Sequence, residues 1–191
     1  MGLPQHSAAH VSPEQYLAQE MASETRSEYL AGEVFAMTGA SSAHNIISMN
    51  VVTALRNHLR GGPCQAFMVD IKLRVEAANA YFYPDVMVTC SDNDRKSAYV
   101  KSEPVLVVEV LSPSTALFDR DKKFAAYRQL ASLQEYVLVD SQQAGVECYR
   151  RGEGDEWILH PYGPEETVAL HSVGLSLPVE ALYQDAPLGE E

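Results

Sequence analysis

Apolar and polar side chains alternate with helical and strand periods in turn along the chain, beginning with a helix and a hairpin. Ser12-Pro13-Glu14-Gln15 combines an N-cap, a proline at the first helical position and a capping-box glutamine, which predicts a helix over about residues 13–22. Residues 27–38 contain two short strand-like runs around Ala31-Gly32. This pattern predicts a tight hairpin whose second strand begins at Glu33.

A longer helix is predicted to follow the hairpin. Ser41-Ser42 offers its N-cap, and Gly61-Gly62-Pro63 stops it after about Leu59. His44 lies one turn before the apolar stripe of this helix, near its N-terminus. The stripe, which we expect to face the core, consists of Ile47, Val51, Ala54 and Leu55.

The middle of the chain has the pattern of a β-sheet. Strand-like runs occupy about residues 64–69, 71–76 and 81–90, and the polar segment SDNDRKSAYVKSE predicts a loop before the next strand. Residues 105–111 are apolar except for one glutamate. Such a run is typical of a central strand that is covered on both faces.

A strand, helix, strand unit is predicted next. A helix over about residues 118–131, with Phe124, Tyr127 and Ala131 on one face, leads into the strand Tyr136–Val139. The glycine-rich remainder is typical of a β-meander, and VEALY near the end predicts a short final helix. The order of these elements predicts an α/β fold.

Length and composition indicate one folded domain in the cytoplasm. The chain has 191 residues, 46% hydrophobic and 21% charged, so we assign residues 1–191 to one domain with a core over about 13–183. No segment resembles a membrane helix of roughly 18 apolar residues or a signal peptide, which predicts a cytoplasmic protein without a membrane partner. We expect Cys64, Cys90 and Cys148 to be reduced thiols because they lie far apart.

The net charge of −12 argues against a protein that binds nucleic acid through bulk electrostatics, because phosphate binding depends on lysine and arginine. The charge is unevenly distributed. Nine of the 26 acidic residues follow Arg151, whereas none of the 14 basic residues does. The rest of the chain is therefore much closer to neutral, which weakens the argument against a nuclease.

Glu109 lies inside the apolar run and is the most informative residue of the chain. Strand alternation places it on the same face as Val105, Val107 and Leu111, and a helix should cover that face. An unpaired carboxylate there would be strongly destabilised by desolvation. Glu109 must therefore be protonated, paired with a cation or bound to a metal.

A second carboxylate, Asp85, follows Pro84 at the start of a strand that can pair with the Glu109 strand. Two neighbouring carboxylates repel each other, and one pKa rises unless a divalent cation lies between them. Hard oxygen ligands suit Mg²⁺ or Mn²⁺, which take their other ligands from water and substrate phosphate. The pair predicts metal-assisted hydrolysis of phosphodiester bonds.

A positive side chain is expected on the helix that follows the Glu109 strand. Lys123 lies on that helix, with Tyr127 one turn further on, so it flanks the buried stripe. Near a metal the pKa of Lys123 can be lowered, so that the lysine orients or deprotonates water. Lys122 is the alternative lysine, and we expect Tyr127 to pack with its hydroxyl reaching the site.

These residues together resemble the Uma-two family of restriction endonuclease-like proteins, which belongs to the PD-(D/E)XK nuclease superfamily. The resemblance covers about residues 13–183 and implies a restriction endonuclease-like core, with a central mixed β-sheet flanked by helices. The matching positions are Glu33, Ser42–His44, Pro84-Asp85, Glu109–Ser114, Asp119, Lys123, Tyr127, Glu135-Tyr136 and Val139-Asp140.

The resemblance also implies roles for individual residues. Asp85 and Glu109 become metal ligands, and we include Val110 with them. Glu33 becomes an auxiliary acid of the N-terminal layer. His44 is a further catalytic candidate.

The lysine departs from the superfamily pattern, which places it two residues after the second acid. This chain has Leu111 there. The resemblance implies that the lysine has moved to the helix, as Lys123. The implied substrate is DNA, and a homodimer is expected by analogy, because duplex DNA offers two strands related by a two-fold axis.

Each candidate also has a structural interpretation. Glu109 can pair with Lys123, Asp85 can be satisfied by nearby backbone groups, and Lys123 can form an ion pair within its own helix. His44 can be a histidine at the core edge, and Glu33 an acid beside a turn. Two other functions stay open: a non-catalytic module that binds nucleic acid or protein, and a metal-dependent hydrolase of nucleotides or small phosphates.

Overall fold

A computed structural model describes residues 10–189, which form two larger β-sheets and one two-stranded sheet. The helices are α1 (Pro13–Ala22), α2 (Ser42–His58), α3 (Asp92–Lys96), α4 (Ala116–Phe118), α5 (Phe124–Tyr127) and α6 (Val179–Leu182), with a π-helical turn, Asp119–Lys123, between α4 and α5. The strands are β1 (Ser27–Leu30), β2 (Glu33–Ala36), β3 (Gln65–Met68), β4 (Lys72–Val75), β5 (Ala80–Phe82), β6 (Val86–Thr89), β7 (Val100–Lys101), β8 (Pro104–Leu111), β9 (Glu135–Asp140), β10 (Val146–Arg151), β11 (Trp157–Tyr162), β12 (Thr167–Leu170) and β13 (Leu175–Pro178).

The predicted central strand, β8, lies inside the six-stranded sheet, whose order is β11-β10-β9-β8-β6-β3. It pairs parallel with β9 and antiparallel with β6. A parallel pair requires a crossover connection, which the helical segment between β8 and β9 supplies. The predicted strand, helix, strand unit and the mixed α/β fold are therefore confirmed.

The two faces of β8 contribute to different parts of the core. Leu106, Val108 and Val110 pack in a cluster with the apolar stripe of α2. Val107 and Leu111 pack in a second cluster with residues of α5. Glu109 has the parity of this second face, which places its carboxylate under the helical segment.

The five-stranded sheet has the order β2-β1-β5-β4-β7, and its hairpin β1–β2 forms at the predicted place. Ala31 and Gly32 in the turn have φ angles of 49° and 99°. Both values lie in the left-handed region that such tight hairpin turns require. The α1 capping box at Ser12 is also present.

The predicted strand over residues 81–90 is wrong, because it consists of two strands in different sheets. β5 belongs to the five-stranded sheet and β6 to the six-stranded sheet. The connection between them is Tyr83-Pro84-Asp85. Pro84 cannot donate a hydrogen bond to a neighbouring strand, so the ladder is interrupted there.

Three further predictions need correction. The segment predicted as a loop contains α3, which begins behind the N-cap Ser91, and the short strand β7. The helix predicted over 118–131 ends at Tyr127 and contains the π-helical turn. The C-terminal meander ends at β11, because β12 and β13 form a sheet of their own before the predicted final helix α6.

The prediction of three reduced thiols is wrong for two of them. Cys64 and Cys90 form a disulfide, whereas Cys148 is free and buried. Cys64 precedes β3 and Cys90 follows β6, and these strands pair with Gln65 opposite Thr89. The register therefore brings together two cysteines that are 26 positions apart. Among residues 10–189 no helix is long and apolar enough to cross a bilayer, and the cytoplasmic location stays a prediction.

Candidate active site

The centre of the site is the carboxylate of Glu109, which is buried in the core with 2% exposure. Its Oε1 accepts a hydrogen bond from the Tyr127 hydroxyl at 2.8 Å and another from Lys123 Nζ at 3.2 Å. Both donors come from the helical segment after β8. This segment therefore covers the Glu109 face of the strand, as the alternation predicted.

Asp85 is joined to the Glu109 strand by two reciprocal hydrogen bonds. The Asp85 amide donates to Glu109 Oε2 at 3.3 Å, and the Val110 amide donates to Asp85 Oδ2 at 2.7 Å. Asp85 immediately precedes β6, in which Val86 is paired with Val108. This register brings the two acids to the same end of the β6–β8 pair.

Lys123 lies among three carboxylates and is 7% exposed. Its Nζ is 3.0 Å from Glu28 Oε1, 3.2 Å from Glu109 Oε1 and 3.3 Å from Asp119 Oδ1. Asp119 and Lys123 are the first and last residues of the π-helical turn, and both are buried. Such turns are rare in proteins as a whole, and those that occur are frequently found at functional sites.

The pKa values of the buried pair shift in a way that keeps the lysine charged. Burial raises the pKa of Glu109 well above its ordinary value; Lys123 opposes the shift, and Asp85, Asp119 and Glu28 add to it. Burial by itself would lower the pKa of Lys123, but the surrounding carboxylates outweigh burial and raise it well above its ordinary value. The three carboxylates therefore favour the charged form of Lys123. The lowered pKa that we expect next to a bound metal stays a prediction.

His44 lies in the first turn of α2, where its Nε2 is 3.2 Å from Asp85 Oδ2. Burial lowers the pKa of His44, but Asp85, Asp119 and the backbone of Val110 together raise it further than burial lowers it. A backbone group raises the pKa of a histidine by accepting a hydrogen bond from its ring. These groups therefore favour the charged form of His44 next to Asp85.

Glu28 is a site residue that was not predicted from the sequence. It is 6% exposed and accepts a hydrogen bond from the Tyr83 amide at 3.0 Å. The Tyr83 hydroxyl donates to Glu20 Oε1 at 2.7 Å. Two buried glutamates, from α1 and β1, thus hold the segment that leads to Asp85. The sequence carries no local signal for the burial of Glu28, because this burial follows from the position of β1 as an inner strand of its sheet.

Glu33 and Lys122 lie at the periphery of this network. Glu33 Oε2 is 4.0 Å from Lys122 Nζ, and both side chains are 48% exposed. Lys123, and not Lys122, is therefore the lysine that contacts Glu109. Glu28, and not Glu33, is the acid of the hairpin that forms an ion pair with Lys123.

The donor groups fit a hard divalent cation. Carboxylates outnumber the lysine, and Asp119 Oδ1 is buried without a hydrogen-bond partner although Lys123 lies 3.3 Å away. Within residues 10–189 no three histidine, cysteine, aspartate or glutamate side chains are already grouped around a metal position. Asp85 and Glu109 bring two carboxylates to one end of the β6–β8 pair, and Mg²⁺ usually takes only one or two carboxylates from a protein.

Comparisons with known proteins identify the family of this chain. The family model "Uma2: Putative restriction endonuclease" matches residues 13–180. The uncharacterized protein slr1290 of Synechocystis is 39% identical over 174 residues, which cover 91% of this chain and 92% of that protein. A second uncharacterized Synechocystis protein, sll1609, is 35% identical over 150 residues, covering 76% and 83% of the two chains.

A solved structure shares the fold. A crystal structure from Anabaena variabilis, described as a "putative nuclease belonging to DUF820", matches with a TM-score of 0.77 and 18% identity over 91% of this chain and 98% of that one. The chain has this nuclease-like fold, and the family model spans most of its length. The chain therefore belongs to the Uma2 family, which is described as "Putative restriction endonuclease".

Proposed function

We propose that this protein is a metal-dependent nuclease that hydrolyses phosphodiester bonds of DNA. The observation that carries the proposal is the buried contact between Lys123 and Glu109, next to Asp85. Burying so many carboxylates around one lysine is unfavourable unless a further cation balances them. Membership of the Uma2 family supports nuclease chemistry in general, while the cation and the substrate are our own assignments.

Asp85, Glu109 and the Val110 carbonyl would hold Mg²⁺ or Mn²⁺. The cation, when bound, stabilises the negative charge that develops on the scissile phosphate. The protein orients the ligands: the Val110 amide fixes one Asp85 oxygen, and the Tyr127 hydroxyl fixes one Glu109 oxygen. These hydrogen bonds hold both carboxylates before substrate arrives.

Lys123 acts in this proposal as a charged hydrogen-bond donor that orients water or a phosphate oxygen. Three carboxylates within 3.3 Å of its Nζ favour the charged form. Glu28 takes the auxiliary role that we had expected of Glu33, because it contacts Lys123 at 3.0 Å. His44, at 3.2 Å from Asp85, belongs to the same group of residues.

A cleavage assay tests the proposal. Supercoiled plasmid and linear duplex DNA are incubated with the protein in Mg²⁺ or Mn²⁺, using Asp85→Asn, Glu109→Gln and the control Glu76→Gln, whose side chain is 82% exposed. We expect both site variants to lose at least ~100-fold in rate, since even outer partners of a metal ligand contribute about 10- to 100-fold. Undiminished cleavage by either site variant would contradict the assigned roles.

A non-catalytic module that binds nucleic acid or protein is the second candidate. The supporting observation is that Lys123 already has three carboxylate partners within the protein. Titration calorimetry with Mg²⁺ and Mn²⁺ separates the two candidates, because only the proposed nuclease requires a bound cation. A bound cation also raises the melting temperature. If millimolar Mg²⁺ and Mn²⁺ neither bind nor stabilise the protein, the module is favoured.

The net charge of −12 favours a third candidate, a metal-dependent hydrolase of nucleotides or other small phosphates. Long DNA is repelled more strongly than a mononucleotide by an acidic surface. Rates on mononucleotides and on oligonucleotides, measured side by side, distinguish this candidate from the nuclease.

We further propose a homodimer, because cleavage of both strands of a duplex suits two sites related by a two-fold axis. Sedimentation equilibrium measures the mass directly. A protein that stays monomeric at micromolar concentration and with DNA bound would contradict this part of the proposal.

A further inference from the structure

The strand β11 has one open side. It ends the six-stranded sheet, and within residues 10–189 it pairs with β10 alone. β11 has six residues, whereas the other edge strands of the two larger sheets, β2, β3 and β7, have four residues or fewer. An edge strand presents unpaired backbone groups with which another chain can pair.

The register of the β10–β11 pair shows which backbone groups of β11 point outward. Gly152 donates a hydrogen bond to the Glu156 carbonyl at 2.9 Å, in the same register as the strand pair that follows. In an antiparallel pair, hydrogen-bonded and non-hydrogen-bonded positions alternate. The even-numbered residues of β11 therefore face β10, and Trp157 and Leu159 direct their amide and carbonyl groups away from the sheet.

The remaining outward positions have no free amide. Pro161 has no amide hydrogen, and the Gly163 amide donates to Glu166 Oε2 at 2.6 Å. The amides of Trp157 and Leu159 are thus the two donors of β11 that an added strand would engage.

The side chains along this edge are suited to an apolar partner strand. Ile158 and Leu159 are 50% and 44% exposed. They are consecutive in a strand, so they lie on opposite faces of the sheet. An added strand would therefore cover apolar surface on both faces.

The surroundings of β11 are acidic. No lysine or arginine follows Arg151 in the sequence. On β10, Arg150 Nε is 2.8 Å from a Glu135 oxygen, and Arg151 Nε donates to the Leu133 carbonyl at 2.7 Å, so both guanidinium groups already have partners within the protein. Exposed acids flank β11 at both ends: Glu153, Asp155, Glu156, Glu165 and Glu166.

This charge selects the partner. Antiparallel pairing of two β11 strands would bring the acids at one end of each strand next to the acids at the other end of its partner, and like charges placed opposite each other are unfavourable. We propose that β11 binds an extended, basic segment of another protein as an added strand. Main-chain hydrogen bonds supply affinity in such complexes, and lysine or arginine at the ends of the segment complements the acids. This inference does not depend on the proposed nuclease activity.

Amide hydrogen exchange, measured by NMR, provides the direct test. The probe is a synthetic peptide with lysines at both ends and six alternating valine and threonine residues between them, to match the length of β11. We expect saturating peptide to slow exchange at Trp157 and Leu159 by at least ~10-fold, because hydrogen-bonded amides are protected. Ile158 and His160, which face β10, should change little. A lack of saturable binding, or unchanged exchange at Trp157 and Leu159, would overturn the inference.

Two control peptides separate backbone pairing from charge. One has alternate amides N-methylated, which blocks strand pairing, and the other has glutamate in place of lysine. We expect each to bind the wild-type protein at least ~10-fold more weakly than the probe. Equal binding of the methylated peptide would refute strand addition, and equal binding of the glutamate peptide would refute the basic partner.

The variant Leu159→Pro tests the same edge from the side of the protein. Proline removes one outward amide and no hydrogen bond to β10, as Pro161 already does at a position of the same parity. The matched control is Leu159→Ala, which shortens the side chain and keeps the amide. We expect Leu159→Pro to bind the probe at least ~10-fold more weakly than Leu159→Ala, and equal affinities of the two folded variants would contradict strand addition. Thermal unfolding verifies that each variant is folded, and the methylated peptide tests the wild type without any substitution.

A second copy of the chain is the alternative occupant of this edge. Exchange at Trp157 and Leu159 is therefore also measured without peptide over a range of protein concentrations. We expect fast exchange throughout. Protection that grows with protein concentration would show that β11 pairs with a second copy, and would overturn the assignment to a basic partner.

Discussion

Lys123 illustrates how one side chain can hold several buried acids together. Its ammonium group lies within 3.3 Å of carboxylates from β1, β8 and the π-helical turn. Each of these carboxylates is buried, so each depends on a cation for its charge. The stability of the fold therefore depends on this residue.

Replacing Lys123 with methionine is expected to destabilise the fold by about 3–5 kcal/mol, because it leaves buried carboxylates without their cation. Chemical denaturation measures the difference. The matched control is Lys122→Met, since Lys122 is 48% exposed and a surface substitution usually changes stability by about 0.5 kcal/mol or less. Similar stabilities for the two variants would contradict the pairing described for Lys123.

Sequence reasoning reached Asp85, Glu109 and Lys123 because each carries a local signal, such as a charge within an apolar run or a lysine next to a buried stripe. Glu28 and Glu20 carry no such signal. Their burial follows from the pairing of β1 inside its sheet and from the contacts of both residues with Tyr83. Long-range pairing of this kind is not visible in the spacing of residues along the chain.

At the scale of elements, Glu135 links three segments of the C-terminal half. It is fully buried at the start of β9. Its carboxylate accepts hydrogen bonds from the Arg150 side chain at 2.8 Å and from the amides of His171 and Ser172 at 3.1 and 2.8 Å. One acid therefore joins β9, β10 and the turn between β12 and β13.

Stability should depend on pH through Glu135. Burial raises the pKa of this carboxyl, but hydrogen bonds from Ser172, Arg150 and His171 outweigh burial, and the pKa is lowered from 4.5. A carboxyl with a lowered pKa stabilises the fold above its unfolded pKa, and this contribution is lost as pH falls through the folded value. The pH range in which this stabilisation is lost therefore lies below about pH 4.5.

The variant Glu135→Gln tests this dependence. We expect it to lose about 2 kcal/mol of unfolding free energy at pH 7, and the difference from wild type should shrink as the pH falls below about 4.5. Thermal unfolding followed over pH 3–8 supplies the measurement, with Glu76→Gln as the exposed control. A difference that is the same at pH 3 and pH 7 would rule out this role.

Sequence patterns located most helices and strands correctly, because caps and alternation are local features. They failed where the outcome depends on partners. Pro84 lies between β5 and β6, which belong to different sheets, although the apolar run predicted a single strand there. The π-helical turn places Asp119 and Lys123 together in the core, and ordinary helical periodicity does not specify it.

At the scale of the whole molecule, acidic charge opposes a polyanionic substrate. Exposed acids cluster in the turn between β10 and β11, at Glu153, Asp155 and Glu156. Such charges act over about one Debye length, roughly 10 Å at 0.1 M salt. They should therefore weaken the binding of the DNA substrate that we propose.

Neutralising these three acids as Glu153→Gln, Asp155→Asn and Glu156→Gln is expected to strengthen DNA binding by roughly threefold at low salt, because repulsion is reduced. Fluorescence anisotropy with a labelled duplex measures the affinity. At 0.5 M salt the Debye length is roughly 4 Å, so the gain in affinity should disappear. A gain that persists at high salt would argue against an electrostatic origin.

The connection Tyr83-Pro84-Asp85 gives the candidate site an unusual mechanical position. Glu28 belongs to the five-stranded sheet and Glu109 to the six-stranded sheet. Lys123 forms an ion pair with both carboxylates. Asp85 lies on the short bridge between the same two layers. Any movement of one sheet against the other would separate these groups, so the contacts between the two sheets and the geometry of the candidate site depend on each other.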